Sequence, residues 1–217
     1  SEQLEKYKTI MIQLAAVALL LSLCVGLAVV FSNRKRPSNQ AFATFSVLLS
    51  IWLTSIILIN IAALRTPPTG AYDVRRWLVF NGFVSSYGIW ALWILQQSIT
   101  QNALGITNII RNSRAIFLFS AFVSVLVFQK SFAENTTGIL IHRGAAYVIH
   151  NALVGIAFLV FFFSTLTRIR LHSGIQKLEL QYLALTCSLG LFLLAILNGL
   201  GNFTGLRTLN RASILVV

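Results

Sequence analysis

Seven polar side chains stand inside stretches otherwise made of hydrocarbon: Asn60, Asn81, Tyr87, His150, Asn151, Asn198 and Asn202, with Ser85 and Ser86 between Asn81 and Tyr87. Amides, a phenol and a lone imidazole are hydrogen-bonding groups, not nucleophiles with a partnered base. The chemistry they suit is recognition of a small ligand by a few donors and acceptors. Polar side chains at membrane depth are costly unless they are paired or face a wet cavity. Asn81, Tyr87, His150, Asn151 and Asn198 are therefore the candidate ligand-binding set. The plainer alternative, which holds more often for any one such residue, is that it ties one helix to the next or reaches a headgroup.

Other chemistries find little support. The sequence has no Gly-rich phosphate loop, metal-ligand cluster or serine-nucleophile motif, so no catalytic residue and no metal is expected. A retinal Schiff base needs a lysine within a span, whereas Lys6, Lys8, Lys35, Lys130 and Lys177 all lie outside the apolar cores. Haem needs axial ligands facing each other at depth, and only His150 is plainly inside a span. No cofactor is expected. Cys24 and Cys187 both sit in apolar runs, where the expectation is buried small hydrophobes and not a disulfide. Gly26, Gly88, Gly155, Gly190, Gly199 and Gly201 are expected to permit close helix contact. Trp52, Trp77, Trp90 and Trp93 are expected to anchor at interfaces or pack.

The elements that must position these residues follow from composition. Of 217 residues 57% are hydrophobic and 10% charged, against about 25% charged in soluble domains. A surface so poor in charge cannot face water. The net charge of +12 would suggest nucleic acid in a soluble protein. Here the 17 basic residues fall almost entirely between apolar runs, as interface anchors and loop charges, so no nucleic-acid partner is expected.

A crossing takes about 20 residues, and the apolar runs read as spans at about 9–31, 41–64, 74–98, 115–128, 145–166 and 181–202, with 212–217 as the first turns of a seventh. The expected fold is all-α: one polytopic transmembrane helix bundle over 1–217, with six full spans and the start of a seventh. Asn33-Arg34-Lys35-Arg36-Pro37 and Thr66-Pro67-Pro68-Thr69-Gly70 mark the first two breaks. The fourth run is short for a crossing, so it either recruits residues from the connector before it or tilts little. The longest polar loop, 130–144, holds the sequon Asn135-Thr136-Thr137, which has meaning only in a eukaryotic secretory setting. The charged and amphipathic lead Gly174–Tyr182 runs without a break into the apolar stretch 183–200.

Loop Lys and Arg divide almost evenly between the two sides, so the positive-inside rule gives no vote on orientation. The density of Arg34-Lys35-Arg36, and the fall of Glu2, Glu5, Asp73 and Glu134 on the opposite side, favour an amino terminus outside. In that orientation the seven polar side chains collect in the outer halves or outer ends of the spans. The inner ends carry Gln96 and Gln97 but no comparable set. An outward-opening polar pocket is the resulting expectation.

The stretch from Asn33 to Phe42, followed by an apolar helix with Trp52, resembles the first connector and second helix of the seven-helix membrane input region at the amino terminus of some bacterial sensor histidine kinases. Gly174–Tyr182 is similar to that family's approach to its sixth helix, where a basic residue and a glutamine precede a Gly-containing span ending in Asn. The resemblance covers nearly the whole chain, through loose patterns. It implies an outside amino terminus, a seventh helix leading to the cytoplasm, a bacterial inner membrane and signalling to a kinase or other output module. The chain departs from the family's whole proteins in carrying no phosphoacceptor helix or ATP-binding region within its 217 residues, and His172, in a short loop, is not promoted to phosphoacceptor.

A sensor or receptor-like input domain is therefore the first functional expectation, with the lipid bilayer, a small or lipophilic ligand and a cytoplasmic kinase or output domain as partners. The alternative is an accessory subunit packed against other membrane subunits. A transporter ranks third, because the spans lack charged residues.

Overall fold

Backbone surrounded by hydrocarbon must bond to itself, and the long proline-free apolar runs satisfy this as helices. The structure, a computed structural model, describes the backbone of residues 2–62, 69–101, 104–136, 140–142 and 144–203, and side chains at 9, 12–62, 73–101, 104–133 and 144–189. Among the described residues seven α-helices follow in order: α1 (Glu2–Ser32), α2 (Pro37–Ala62), α3 (Thr69–Thr100), α4 (Ile106–Asn112), α5 (Arg114–Val125), α6 (Ala145–Leu171) and α7 (Gly174–Phe203). The chain forms two compact units, Ser1–Phe161 and Phe162–Val217.

Between α1 and α2 the basic turn is fastened from below. The Asn39 amide donates to the carbonyls of Val29 (2.9 Å) and Asn33 (3.0 Å) and to Ser32 Oγ (3.2 Å). Gln40 Nε2 donates to the Arg34 carbonyl at 2.9 Å. Carbonyls left open at the end of α1 are thus met by side chains from the first turn of α2. Pro37 stands at the first position of α2, where its missing N–H costs nothing. The Arg34 guanidinium lies 4.7 Å from the Phe31 ring centroid, while Arg34 and Lys35 remain exposed. Further along, Gly26 permits close contact: a Cβ there would lie 2.7 Å from Ser46 Cβ. Ser22 Oγ donates to the Ser46 carbonyl at 3.3 Å.

Helix α3 is the hub of the first unit and has the most buried of the apolar spans. It packs against α2 on one side and α5 on another. The fourth apolar run is not straight. Helices α4 and α5 meet at Ser113 with a 60° bend, the geometry of a broken span or of a re-entrant loop. Ser113 explains the break. Its hydroxyl donates to the Ile110 carbonyl at 2.9 Å, its N–H is shared between Ile109 and Ile110, and it accepts the Trp90 indole N–H at 3.2 Å. Such back-bonding competes with the helical ladder and bends it. After α5, short 3-10 turns at Leu126–Phe128 and Lys130–Phe132 lead to a small antiparallel hairpin, β1 (Glu134–Thr136) with β2 (Leu140–His142), in which Asn135 pairs with Ile141. Thr137 of the sequon lies outside the described residues.

In the second unit α6 ends at Leu171, where His172 Nδ1 and backbone N–H both lie against the Arg168 carbonyl, at 2.9 and 3.2 Å. Gly174, at φ +61°, then starts α7; a left-handed backbone is strained for any side chain with a Cβ. The charged lead Gly174–Tyr182 is helical and continuous with the apolar run after it.

A helical bundle with several membrane-length helices is therefore the fold. Among the described residues, Ile12–Ser32, Pro37–Ala62, Asp73–Thr100 and Ala145–Leu171 are long and apolar enough to cross, and the bent α4–α5 pair makes up to five. The expected count of six full spans is not reached. The fourth run is bent by 60° at Ser113, α7 beyond Leu189 has no described side chains, and 212–217 lie outside the described residues. Two smaller expectations also change. Cys24 is exposed on α1 and Cys187 is half-buried, both as free thiols. Gly88 and Gly155 face open space, unlike Gly26. Gly190, Gly199 and Gly201 lie in the undescribed part of α7.

Candidate functional site

The polar residues of α3 share a depth but not a direction. Five residues at about 100° each carry Ser86 about 140° around the helix from Asn81, and Tyr87 lies about 100° beyond Ser86. Three faces of one helix therefore meet three different surroundings.

Asn81 faces α2. Its amide donates to Ser55 Oγ at 2.7 Å, and the Ser55 hydroxyl in turn donates to the Trp52 carbonyl at 2.6 Å. Both side chains are buried. Away from water, a hydrogen bond of this kind carries no competing solvent partner, and removing one end leaves the other unsatisfied.

Ser86 faces α6. Its Oγ lies 2.9 Å from His150 Nε2, and the same nitrogen lies 3.2 Å from the Gly82 carbonyl. The Ser86 hydroxyl donates to that carbonyl at 3.0 Å, which leaves its lone pair to accept the His150 Nε2–H. In the neutral ring Nδ1 is then an acceptor. Asn151, half-buried beside it with its amide 3.4 Å away, complements that atom when its NH2 is turned to the ring. The Phe132 ring closes the site from the turn after α5, edge-on to His150 at 5.5 Å and to Tyr147 at 5.3 Å. Only glycine fits at 82 in this arrangement, since a Cβ would stand 2.7 Å from Phe132 Cζ. His150 and Phe132 are each 1% exposed.

Tyr87 looks into a groove of about 480 Å3, lined from α2 by Leu48 and Ile51, from α3 by Phe80, Phe83, Val84, Tyr87 and Trp90, and from α5 by Phe117. Its rings form a connected series: Phe83–Tyr87 at 5.3 Å, Tyr87–Phe117 at 5.8 Å and Trp90–Phe117 at 5.2 Å between centroids, all tilted or edge-on.

The structure thus brings together His150, Asn151 and Ser86, and sets Asn81 and Tyr87 on other faces of α3. Asn60 is buried and donates to the Ile56 carbonyl of its own helix at 2.9 Å. Asn198 and Asn202 belong to α7, and their side chains lie outside the described residues. Polar burial also extends to the other end of α3, where Gln96, Gln97 and Ser98 are buried, as are Ser38 and Asn39 of α2. Sequence reasoning missed Ser55, Gly82, Phe132 and Phe117. A serine three residues after Trp52 and a glycine four before Ser86 are signals too common to single out. Phe132 is one phenylalanine of 16. Among the described residues no three His, Cys, Asp or Glu side chains converge to hold a metal ion.

Comparison with protein-family models, curated proteins and solved structures returned no match.

Proposed function

We propose that this chain is a membrane-embedded sensor or receptor-like input domain of a signal-transduction protein, similar to the seven-helix region of bacterial sensor histidine kinases. It has no catalytic role of its own. The observation that carries the reading is the Ser86–His150 contact at 2.9 Å between α3 and α6, plugged by Phe132. A polar link between helices in an apolar bundle has few alternative partners, so a ligand or a change in the membrane that displaces it favours one packing over another. Asn81 with Ser55 provides a second such link, to α2. The domain lies in a bacterial inner membrane with its amino terminus outside. Helix α7 supplies the sixth span, and the signal passes to a cytoplasmic kinase or other output domain.

The test uses the native protein with whatever output domain its gene encodes, reconstituted in vesicles. His150→Leu and Asn81→Leu variants that insert normally are expected to change basal or stimulated output severalfold. Unchanged output in both, with normal insertion, rejects the reading. Cysteine labelling gives the orientation: residues 34–36 and 75–76 are expected on opposite faces of the bilayer.

A second reading, an accessory subunit of a larger membrane complex, draws on α1. Leu14, Leu20, Leu21 and Phe31 are all at least 60% exposed there, a surface for lipid or for another membrane chain. Purification in mild detergent separates the two readings: stoichiometric membrane subunits favour the accessory role.

A further inference from the structure

We propose that the turn joining α1 to α2 is a binding site for the phosphate of an anionic phospholipid, held by the Arg34 guanidinium and the Lys35 ammonium. The site is independent of what the domain senses and requires only that α1 and α2 cross a bilayer.

Position sets the depth. Ile12–Ser32 and Pro37–Ala62 are both long and apolar enough to cross, so residues 33–36 leave the hydrocarbon at the level of the lipid headgroups. Phe31, 63% exposed in the last turn of α1, marks the boundary. The Arg34 guanidinium lies over its ring, 4.7 Å from the centroid, and this attraction keeps the charge at that boundary instead of out in water. A contact with a ring face consumes no N–H of the guanidinium, and among the described residues no oxygen accepts from it. The free N–H groups form a fork that matches two oxygens of one phosphate.

The backbone beneath is fixed in advance. Asn39 and Gln40 occupy the carbonyls of Asn33 and Arg34, and the Lys35 N–H donates to Asn33 Oδ1 at 3.1 Å. Little ordering of the main chain is then left to oppose binding.

Charge names the occupant. Arg34 and Lys35 are exposed, and among the described residues no carboxylate pairs with either. No Asp or Glu occurs in the chain between Glu5 and Asp73, and those two stand near the starts of α1 and α3, away from the turn. A zwitterionic headgroup brings an ammonium into this positive field with no carboxylate to receive it. A phospholipid of net negative charge brings the phosphate alone.

The chain is reconstituted in phosphatidylcholine vesicles holding a minor fraction of phosphatidylglycerol. Electron paramagnetic resonance then compares the motionally restricted fractions of the two lipids, each spin-labelled on its acyl chain. Phosphatidylglycerol is expected to be selected by about fivefold, and Arg34→Gln/Lys35→Gln to abolish the preference. Insertion is expected to survive, because Asn39 and Gln40 hold backbone carbonyls and not these side chains. Arg34→Lys keeps the charge but not the fork, and is expected to lose about half of the selectivity. Native selectivity in Arg34→Lys overturns the site, as does the absence of any preference in the native protein. An equal loss in Arg75→Gln/Arg76→Gln also overturns it, by reducing the preference to net charge. Inorganic phosphate added at constant ionic strength is expected to leave the selectivity unchanged; displacement assigns the turn to a soluble anion and rejects the lipid.

Discussion

Ser86 Oγ and His150 Nε2 are 2.9 Å apart, and the carbonyl of Gly82 is shared by both. The link crosses from α3 to α6 between residues 64 positions apart in sequence. It holds together two helices whose remaining surfaces are chiefly apolar and so have little directional preference for each other.

Breaking that link from either end is expected to cost stability. Ser86→Ala and His150→Phe each lose about 1 kcal/mol or somewhat more, and their double-mutant cycle shows a coupling of about 0.5–1.5 kcal/mol. Reversible unfolding in mixed micelles measures it. Additive single and double variants mean that the contact contributes nothing net.

Gly82→Ala places a methyl against Phe132 Cζ, in a ring held by Tyr147 and His150. The expected loss is about 1–2 kcal/mol from overpacking. Shortening the opposing ring in Gly82→Ala/Phe132→Leu recovers part of it. A Gly82→Ala protein as stable as the native one shows that Phe132 moves aside freely.

Asn39→Leu removes one amide NH2 that serves three acceptors around the end of α1. A loss of about 2 kcal/mol is expected, since the Val29 and Asn33 carbonyls lose a buried partner. The effect should be local: amide hydrogen exchange rises around the basic turn, at residues 33–36, and stays unchanged in α5. Uniform protection across both regions contradicts the clamp.

Ser113→Ala takes away both the back-bond to Ile110 and the acceptor of the Trp90 indole. The bend between α4 and α5 is expected to open from 60° toward a straighter helix, with a change in Trp90 emission. Spin labels at 107 and 118 report the angle as a longer mean distance. An unchanged distance assigns the bend to the packing around it and not to Ser113.

How legible each feature was depended on whether its cause is local. The proline at 37, the basic turn before it and the unbroken course from Gly174 into apolar sequence are written in neighbouring residues, and they appear where expected. The short fourth run was legible as a difficulty, a span lacking residues, but its solution was not. Ser113 bends the chain partly through the indole of Trp90, 23 positions earlier. The polar set was legible as a depth. Its division among three faces of α3 was not, because rotation about a helix acquires meaning only when the neighbours of each face are known.

Sequence alone determined that this protein is a bundle of membrane-length helices. Too little charge for a water-facing surface and backbone groups that must bond within each segment leave no other arrangement. Tertiary structure alone decided that Asn81 meets Ser55, that His150 meets Ser86 beneath Phe132, and that Tyr87 packs among the rings of Phe83 and Phe117. Those pairings depend on which helix packs beside which, and apolar faces of similar composition carry almost no directional signal about that choice.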